Sequence, residues 1–268
     1  MSEADLLDLH GQVALVTGAG QSAGRGIALM LARHNAGGVA VNDFVAERAA
    51  AVAAEIEAMG VRAIPVSFDV SDLEAVRANV AKASEALGPI TLLVNNAGNA
   101  GPTAQIGRGT EFFWQADPSE WDRFLRTNLH GVMNCCHAVI PGMVEQKRGR
   151  LVTIVSDAGR VGEPRLAVYA AAKAGAAGFV RAVAKEVGRF GITSNAISLS
   201  SLEPALEPEA LAEFRASDVA KQIASNYVIR RVGRADDVAA MALFLCSDAA
   251  SWITGQTYPV NGGYSFAI

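Results

Sequence analysis

The chain is poor in the features by which several broad classes of protein are recognised. It has three cysteines in 268 residues, two of them adjacent as Cys135 and Cys136. That is too few for a disulfide framework, and their apolar helical setting predicts buried thiols. Its four histidines, His10, His34, His130 and His137, are scattered without ligand spacing to cysteine or carboxylate, so no metal site is expected. Basic charge is not in excess: 23 lysines and arginines face 27 aspartates and glutamates, a formal net charge of −4. With no Lys/Arg cluster either, the footprint of a nucleic-acid binder is missing. No apolar run approaches the ~18 residues that a membrane-spanning helix needs. The opening Met1-Ser2-Glu3-Ala4-Asp5 is acidic and lacks the basic and apolar regions of a secretory leader. Linkers, repeats and low-complexity tracts are absent as well. These absences predict one cytoplasmic domain over 1–268, with neither nucleic acid nor membrane as a partner.

What the chain has is rhythm and a hydrophobic fraction of 51%, enough to bury a substantial core. Short β-branched runs alternate with longer Ala-rich segments of helical period, the signature of βαβ units and a parallel sheet. Strands are expected at Val13–Thr17, Gly38–Asn42, Arg62–Ser67, Ile90–Asn95, Leu151–Ser156, Ile192–Ser198 and Thr257–Val260. Helices are expected near Arg25–His34, Ala46–Met59, Leu73–Leu87, Ser119–Gln146, Ala167–Phe190 and Ala235–Ser247. Continuous apolar strands such as Leu151-Val152-Thr153-Ile154-Val155 imply burial on both faces, as in a doubly wound sheet of Rossmann type. Two stretches break the rhythm, Asn99–Pro118 and Leu199–Ser217. Both follow strand ends on the side where such sheets bind ligands.

The first βα turn, Thr17-Gly18-Ala19-Gly20-Gln21-Ser22-Ala23-Gly24, has the context of a dinucleotide-binding loop. Its glycines let backbone N–H groups approach a pyrophosphate at a helix N-terminus, with Gly18, Gln21, Ser22 and Ala23 as the binding positions. The second strand ends at Asp43. A carboxylate there accepts hydrogen bonds from adenosine ribose hydroxyls and repels a 2′-phosphate, which argues for NAD; the same residue could instead cap the next helix. Asp69 and Val70, after the third strand, face the adenine on the same logic, Asp69 being equally suited to a turn. Further on, Tyr169 and Lys173 stand four residues apart, on one face if the segment is helical. An ammonium there is expected to pull the phenol below its usual pKa, and Ser156 could share the oxygen that Tyr169 protonates. Such a pair also arises by chance on any helix.

Taken together, these residues resemble the short-chain dehydrogenase/reductase family over essentially the whole chain. The turn at 17–24 is similar to its TGxxxGxG. Asn95-Asn96-Ala97-Gly98 is similar to its NNAG, Asn128 stands in an Asn-Leu-His-Gly segment, and Ser156, Tyr169 and Lys173 match its catalytic set. Val260-Asn261-Gly262-Gly263 is similar to its carboxy-terminal segment. The resemblance implies a sheet of about seven strands, a nicotinamide cofactor touching Asn96, Ala97, Gly98, Tyr169 and Lys173, and a homotetramer. It implies that Tyr169 exchanges a proton with the substrate oxygen, Ser156 orients that oxygen, Lys173 holds the nicotinamide ribose, and Asn128 positions a water. Ser156 as a plain strand-end hydroxyl and Asn128 as the filler of a helix irregularity remain open.

The chain also departs from the pattern. Ser22 replaces the middle glycine of the turn. Leu199-Ser200-Ser201-Leu202-Glu203-Pro204 stands where relatives carry Pro-Gly and a following threonine, and the lid expected over 199–217 is rich in glutamate: Glu203, Glu207, Glu209 and Glu213. Two functions follow. One is an NAD-dependent oxidoreductase interconverting a secondary alcohol and a ketone. Its substrate would be apolar, cyclic or acyl-CoA-linked, with Phe112, Phe113 and Trp114 as apolar contacts and Arg160 or Arg165 meeting a phosphate or carboxylate. The other is a non-catalytic, NAD-binding subunit that scaffolds an active partner.

Overall fold

The computed structural model describes residues 5–99 and 112–266. Seven strands, β1 (Val13–Val16), β2 (Gly38–Asn42), β3 (Ala63–Val66), β4 (Ile90–Asn95), β5 (Gly149–Ser156), β6 (Ile192–Leu199) and β7 (Thr257–Val260), form one sheet in the order β3-β2-β1-β4-β5-β6-β7. Every pairing is parallel. The chain winds outward in one direction from β1 to β3, returns, and winds the other way from β4 to β7. Between β1 and β4 the order reverses, and there the helices on either side diverge to leave a crevice at the strand C-termini.

The strands read as continuous apolar runs because both faces are covered. Alternate residues face opposite cores: Ala14, Val16, Leu92, Val94, Val152 and Ile154 pack with α1 (Ser22–Arg33), α2 (Ala46–Ala58) and α10 (Ala235–Cys246). Val13, Leu15, Leu93, Leu151 and Val155 pack with α3 (Leu73–Leu87), α5 (Gly131–Gln146) and α7 (Ala167–Val187). Asp72 caps α3, its side chain accepting from the backbone N–H groups of Glu74 and Ala75. All three cysteines are buried thiols, as the apolar setting of the adjacent pair predicts.

Two expectations need correction. The helix foreseen over Ser119–Gln146 is continuous but not uniform: a 3₁₀ turn (Pro118–Glu120) leads into α4 (Trp121–Leu125), a π-helical segment (Arg126–His130) and then α5. Propensity does not register a π segment, which is held by tertiary contacts and concentrates at functional sites. The stretch 199–217, read as a loop, carries α8 (Pro208–Ala216), followed by α9 (Asp218–Ala224). Pro208 starts α8, where its missing N–H costs nothing. Around these helices Ala220, Ile223, Tyr227 and Val232 form a small third core, against which Phe214 and Tyr264 pack. Between β5 and α7 a single helical turn, α6 (Ala158–Val161), was not foreseen either. Asn99–Pro118 lies largely outside the described residues.

Candidate active site

The crevice between β1 and β4 is built by short polar side chains that satisfy the strand-end backbone. Thr17 Oγ1 accepts from the N–H groups of Asn96 (3.0 Å) and Ala97 (3.1 Å). Asn96 Nδ2 donates to the carbonyls of Thr17 and Gly18, both at 3.0 Å. From β2, Asn42 Oδ1 accepts from Gly18 N at 3.4 Å while Nδ2 donates to Val66 O (3.0 Å) and Phe68 O (3.2 Å). Asn42 was passed over in the sequence because an asparagine ending a strand looks like any turn residue. Its three partners, on β3 and the glycine turn, are visible only in three dimensions.

These bonds line a cavity of about 530 Å³, bordered among others by Gly18, Gln21, Ser22, Ala23, Asp43, Asp69, Val70, Asn96, Ala97 and Gly98. The volume lies in the range of ligand sites. Two glycines show why the turn admits a nucleotide. Gly18 has φ +60°, and a Cβ there would lie 2.9 Å from Ala97 Cα; a Cβ on Gly24 would lie 2.1 Å from the Gly18 carbonyl oxygen. Behind them stands the N-terminus of the 12-residue α1, with no side-chain cap, so its first amides remain free to receive an anion. The cradle therefore fits a dinucleotide, with Ser22 at its centre. Ser22 holds φ +49°, a left-handed conformation that a glycine would adopt at no cost.

Asp43 is 7% exposed at the rim of this cavity. Its Oδ2 accepts from Gly20 N (3.0 Å) and its Oδ1 from Val45 N (2.9 Å). The carboxylate thus ties the glycine turn to the residue that precedes α2, without capping that helix, and lies beside the cavity with a further lone pair on each oxygen. Arg48 and Phe44 border the same space. Asp69 accepts from Ser71 N (2.8 Å), a turn contact, and lines the cavity with Val70.

At its far wall the cavity meets the second group of residues. A Cβ on Gly98 would stand 3.1 Å from Asn128 Oδ1 and 3.3 Å from Lys173 Nζ, so these two groups lie directly behind the Gly98 wall and a side chain there would crowd them. Asn128 is buried within the π segment. Its Nδ2 donates to Asn99 O (2.7 Å) and Phe124 O (3.0 Å), and its Oδ1 accepts from Asn99 N (3.1 Å). It fills the helix irregularity and ties it to the loop after β4. Lys173, 4% exposed on α7, donates from Nζ to the Ile154 carbonyl of β5 at 2.9 Å. Burial lowers its pKa to about 8. Ser156 ends β5; its hydroxyl accepts from Ala158 N (3.2 Å) and stands near enough to the Tyr169 phenol to oppose the rise of its pKa.

The expectation that Lys173 lowers the Tyr169 pKa is corrected in this geometry. Burial raises the phenol above its usual value and the Ser156 hydroxyl opposes the rise. Lys173 Nζ lies 5.9 Å from the centroid of the Tyr169 ring, under its face, and is itself desolvated. In low dielectric, loss of hydration outweighs a cation that does not touch the oxygen.

Arg160 is likewise corrected as a substrate contact. Its guanidinium is spent on Asp157 Oδ1 (2.9 Å), Ser265 Oγ (3.0 Å) and Phe266 O (3.0 Å). Arg165, just before α7, is exposed at φ +68°, its guanidinium 4.9 Å over the Phe112 ring. Phe112 in turn stacks on Trp114 at 4.7 Å and 6°. Phe113 stacks on Trp121 at 5.5 Å, which is packing against the neighbouring helix. In the divergent segment after β6, Ser200 Oγ lies 2.8 Å from Tyr227 OH, and Ser201 N donates to the same hydroxyl at 3.0 Å. Glu203 pairs with Arg215 of α8, with bonds of 2.8 and 2.6 Å, whereas Glu207, Glu209 and Glu213 face solvent. Among the described residues no group of His, Cys, Asp and Glu is placed to hold a metal, and no helix is long and apolar enough to cross a membrane.

The family model described as enoyl-(acyl carrier protein) reductase matches residues 18–265. A 3-oxoacyl-[acyl-carrier-protein] reductase FabG of Staphylococcus aureus is 37% identical over 251 residues, 93% of this chain and 96% of the relative. Nodulation protein G of Azospirillum brasilense is 36% identical over 258 residues, 95% and 98% of the two chains. Among solved structures, a protein of Sinorhizobium meliloti 1021 described as a short-chain alcohol dehydrogenase superposes with TM-score 0.85. It is 35% identical, over 97% of this chain and 98% of that one. A gluconate 5-dehydrogenase of Burkholderia cenocepacia J2315, in complex with NADP and tartrate, also gives TM-score 0.85. It is 30% identical, over 98% and 99% of the chains.

The buried lysine sets a stability test. At pH 7 Lys173 is charged in both the folded and unfolded chain, and the fall of its pKa from 10.5 to about 8 on folding is a burial penalty of ~3 kcal/mol at about 1.4 kcal/mol per pH unit. Between pH 8 and 10.5 the unfolded chain binds the extra proton, so stability rises with pH there. Lys173→Met should therefore be more stable than wild type at pH 7, by up to ~3 kcal/mol in urea unfolding. The advantage should shrink as pH is raised past 8. A variant destabilised at pH 7 would contradict the penalty.

Proposed function

The chain belongs to the short-chain dehydrogenase/reductase family of oxidoreductases, and we propose that it is an NAD-dependent enzyme interconverting a ketone and a secondary alcohol on an acyl thioester. The carrying observation is the meeting of Ser156, Tyr169 and Lys173 at the Gly98 wall of the cofactor cavity. Chain-specific pairing at three points is hard to reconcile with a purely scaffolding subunit, which has no chemical need of it.

A nicotinamide held in that cavity would supply or take up the hydride at the substrate carbon, and the substrate oxygen needs a proton in the reducing direction. Tyr169 gives it from a phenol held neutral by burial, and takes it back in the oxidising direction. Ser156 donates to the same oxygen and stabilises the charge that develops on it. Lys173 would hold the ribose hydroxyls, with Asn128 holding the backbone of Asn99 beside it. Gly18, Gln21, Ser22 and Ala23 take the pyrophosphate, and Asn96, Ala97 and Gly98 the nicotinamide ribose side. Asp69 and Val70 take the adenine, and Asp43 the adenosine ribose. The residues over 199–217, with α8, form the lid; the assembly is a cytoplasmic homotetramer.

Two features support the finer reading. Asp43 offers a carboxylate where a 2′-phosphate would sit, which favours NAD; Arg48 nearby is the competing influence. On the substrate side, Arg165 has, among the described residues, an aromatic ring but no carboxylate as its partner. It stands four residues before Tyr169, and Trp114 beyond Phe112 is 77% exposed. A guanidinium over stacked rings suits an anionic, planar carrier group such as that of coenzyme A.

The test is turnover of a panel of 3-oxoacyl-CoA and cyclic ketone substrates with reduced cofactor. Tyr169→Phe should bind NADH with wild-type affinity and lose turnover by a factor on the order of 10³. Undiminished turnover would remove Tyr169 from the proposed role.

For the cofactor, kcat/KM should favour NADH over NADPH, and Asp43→Ala should narrow the ratio by about tenfold. A preference for NADPH in the wild-type protein would overturn the Asp43 argument. For the substrate, Arg165→Ala should raise KM for a CoA thioester about tenfold, with KM for NADH unchanged and uncharged ketones unaffected. An equal loss for all substrates would assign Arg165 to loop packing instead.

A further inference from the structure

The residue after Ser156 is an aspartate that the proton chemistry does not use. Asp157 is 1% exposed, and a carboxylate so deep is tolerated only when its charge is fully compensated. Four donors meet it. Oδ1 accepts from Ser198 Oγ of β6 at 2.7 Å and from Arg160 Nη1 of α6 at 2.9 Å; Oδ2 accepts from Asn261 Nδ2 at 2.6 Å and Ser265 Oγ at 3.1 Å. Its backbone N–H donates to Leu199 O at 2.8 Å. With its acceptor sites filled, Asp157 has nothing left to offer a substrate.

Two of the four donors come from residues 261–266, the segment beyond β7, and that segment makes further bonds to the same stretch. Arg160 reaches Ser265 Oγ (3.0 Å) and Phe266 O (3.0 Å). Tyr264 donates its hydroxyl to Glu163, in the turn between α6 and α7. Asn261 Nδ2 also holds Ser265 O at 2.9 Å, which closes the segment on itself. The chain from Ser156 to the start of α7 is thus gripped at Asp157, Arg160 and Glu163 by one strap. Tyr264 and Tyr227, 5.8 Å apart, continue the contact into the α8–α9 core.

We infer that Asp157 is a positioning residue: with the carboxy-terminal strap of residues 261–266 it fixes the Ser156 hydroxyl against the Tyr169 phenol. The inference rests on the roles proposed above for Ser156 and Tyr169. Ser156 reaches the phenol from the last position of a strand, and a hydroxyl there has its direction set by the backbone that follows. That backbone turns at once into α6, whose first N–H Ser156 itself accepts. Without the carboxylate, β6, α6 and the strap lose their common anchor, and Ser156 is free to drift from the phenol. A misplacement of this kind acts on turnover and leaves the cofactor cavity, on the other side of β5, untouched.

The experiment compares Asp157→Asn, Ser265→Ala and Tyr169→Phe in the full chain, with acetoacetyl-CoA and NADH as probes. Asp157→Asn keeps the shape of the side chain but turns a donor toward donors. Ser265→Ala, at the partly exposed strap, removes one donor without threatening the fold. The expected result is a loss of kcat of about tenfold or more in Asp157→Asn and about threefold in Ser265→Ala, with NADH affinity unchanged. A second readout needs no turnover. The carbon-13 resonance of the Tyr169 Cζ, assigned by its loss in Tyr169→Phe, should shift in both Asp157 and Ser265 variants as the Ser156 hydroxyl moves. Wild-type kcat and an unmoved Tyr169 resonance in both variants would overturn the inference. So would a fall in kcat matched by the loss of folded protein with the resonance unmoved, since that is a merely structural role. Full turnover in Tyr169→Phe would instead sink the proposed function itself, whatever the other two variants do.

Discussion

A parallel sheet covered on both faces leaves one place uncovered, the ends of its strands, where backbone amides and carbonyls run out of partners just as helices diverge to either side. Everything functional in this protein is assembled from the answer to that shortage. At β1, β2 and β4 the partners are Thr17, Asn42 and Asn96, whose side chains hydrogen-bond strand-end backbone and in doing so hold open the cofactor cavity. At β5 the Ile154 carbonyl is met by Lys173. At the junction of β5 and β6 the carboxylate of Asp157 gathers Ser198, Arg160, Asn261 and Ser265. Polar satisfaction and site construction are here one set of bonds.

Burial then decides the chemistry of what those bonds hold. The same desolvation acts in opposite directions on the two titratable groups of α7, lowering the ammonium of Lys173 and raising the phenol of Tyr169. The phenol thereby keeps its proton and the ammonium holds its own less firmly, a pair whose values are pushed apart. Ser156 supplies the opposing pull on the phenol through its hydroxyl, so the placement of that hydroxyl matters more than the distance to the lysine. The clasp around Asp157 belongs to the same arrangement, because it holds the residue that follows Ser156 in the chain.

Much of this was legible in the residues. All seven strands were anticipated within about two residues at each end, because a strand buried on both faces writes itself as an unbroken apolar run, as in Leu151–Val155. The glycine turn, Asp43, Ser156, Tyr169 and Lys173 could be picked out because their chemistry requires particular residue types at short spacing. What escaped is non-local. The π segment around Asn128 is tied to Asn99, in the loop after β4, which no helical period reveals. The glutamates and prolines of α8 look polar and irregular in sequence, while its packing lies on Phe214 against the cluster of Ala220, Ile223, Tyr227 and Val232. Asn42 and Asp157 carry three and four side-chain hydrogen bonds to residues at least 24 positions away in most cases, and each alone resembles an ordinary turn residue. The sign of the Tyr169 shift was misjudged for the same reason: spacing tells which charge is near, but only the fold tells how much water has been lost.

Central to the proposed function is that Ser156, Tyr169 and the cavity bordered by Gly98 form one site at which hydride and proton reach a carbonyl together. Incubation with a 3-oxoacyl-CoA and NADH carrying deuterium at the nicotinamide C4, followed by mass spectrometry of the product, tests it directly. One deuterium should appear on the carbon that bears the new hydroxyl, from one face of the nicotinamide only. An unlabelled product, or a substrate left unreduced by protein that binds both NADH and the thioester, would contradict it.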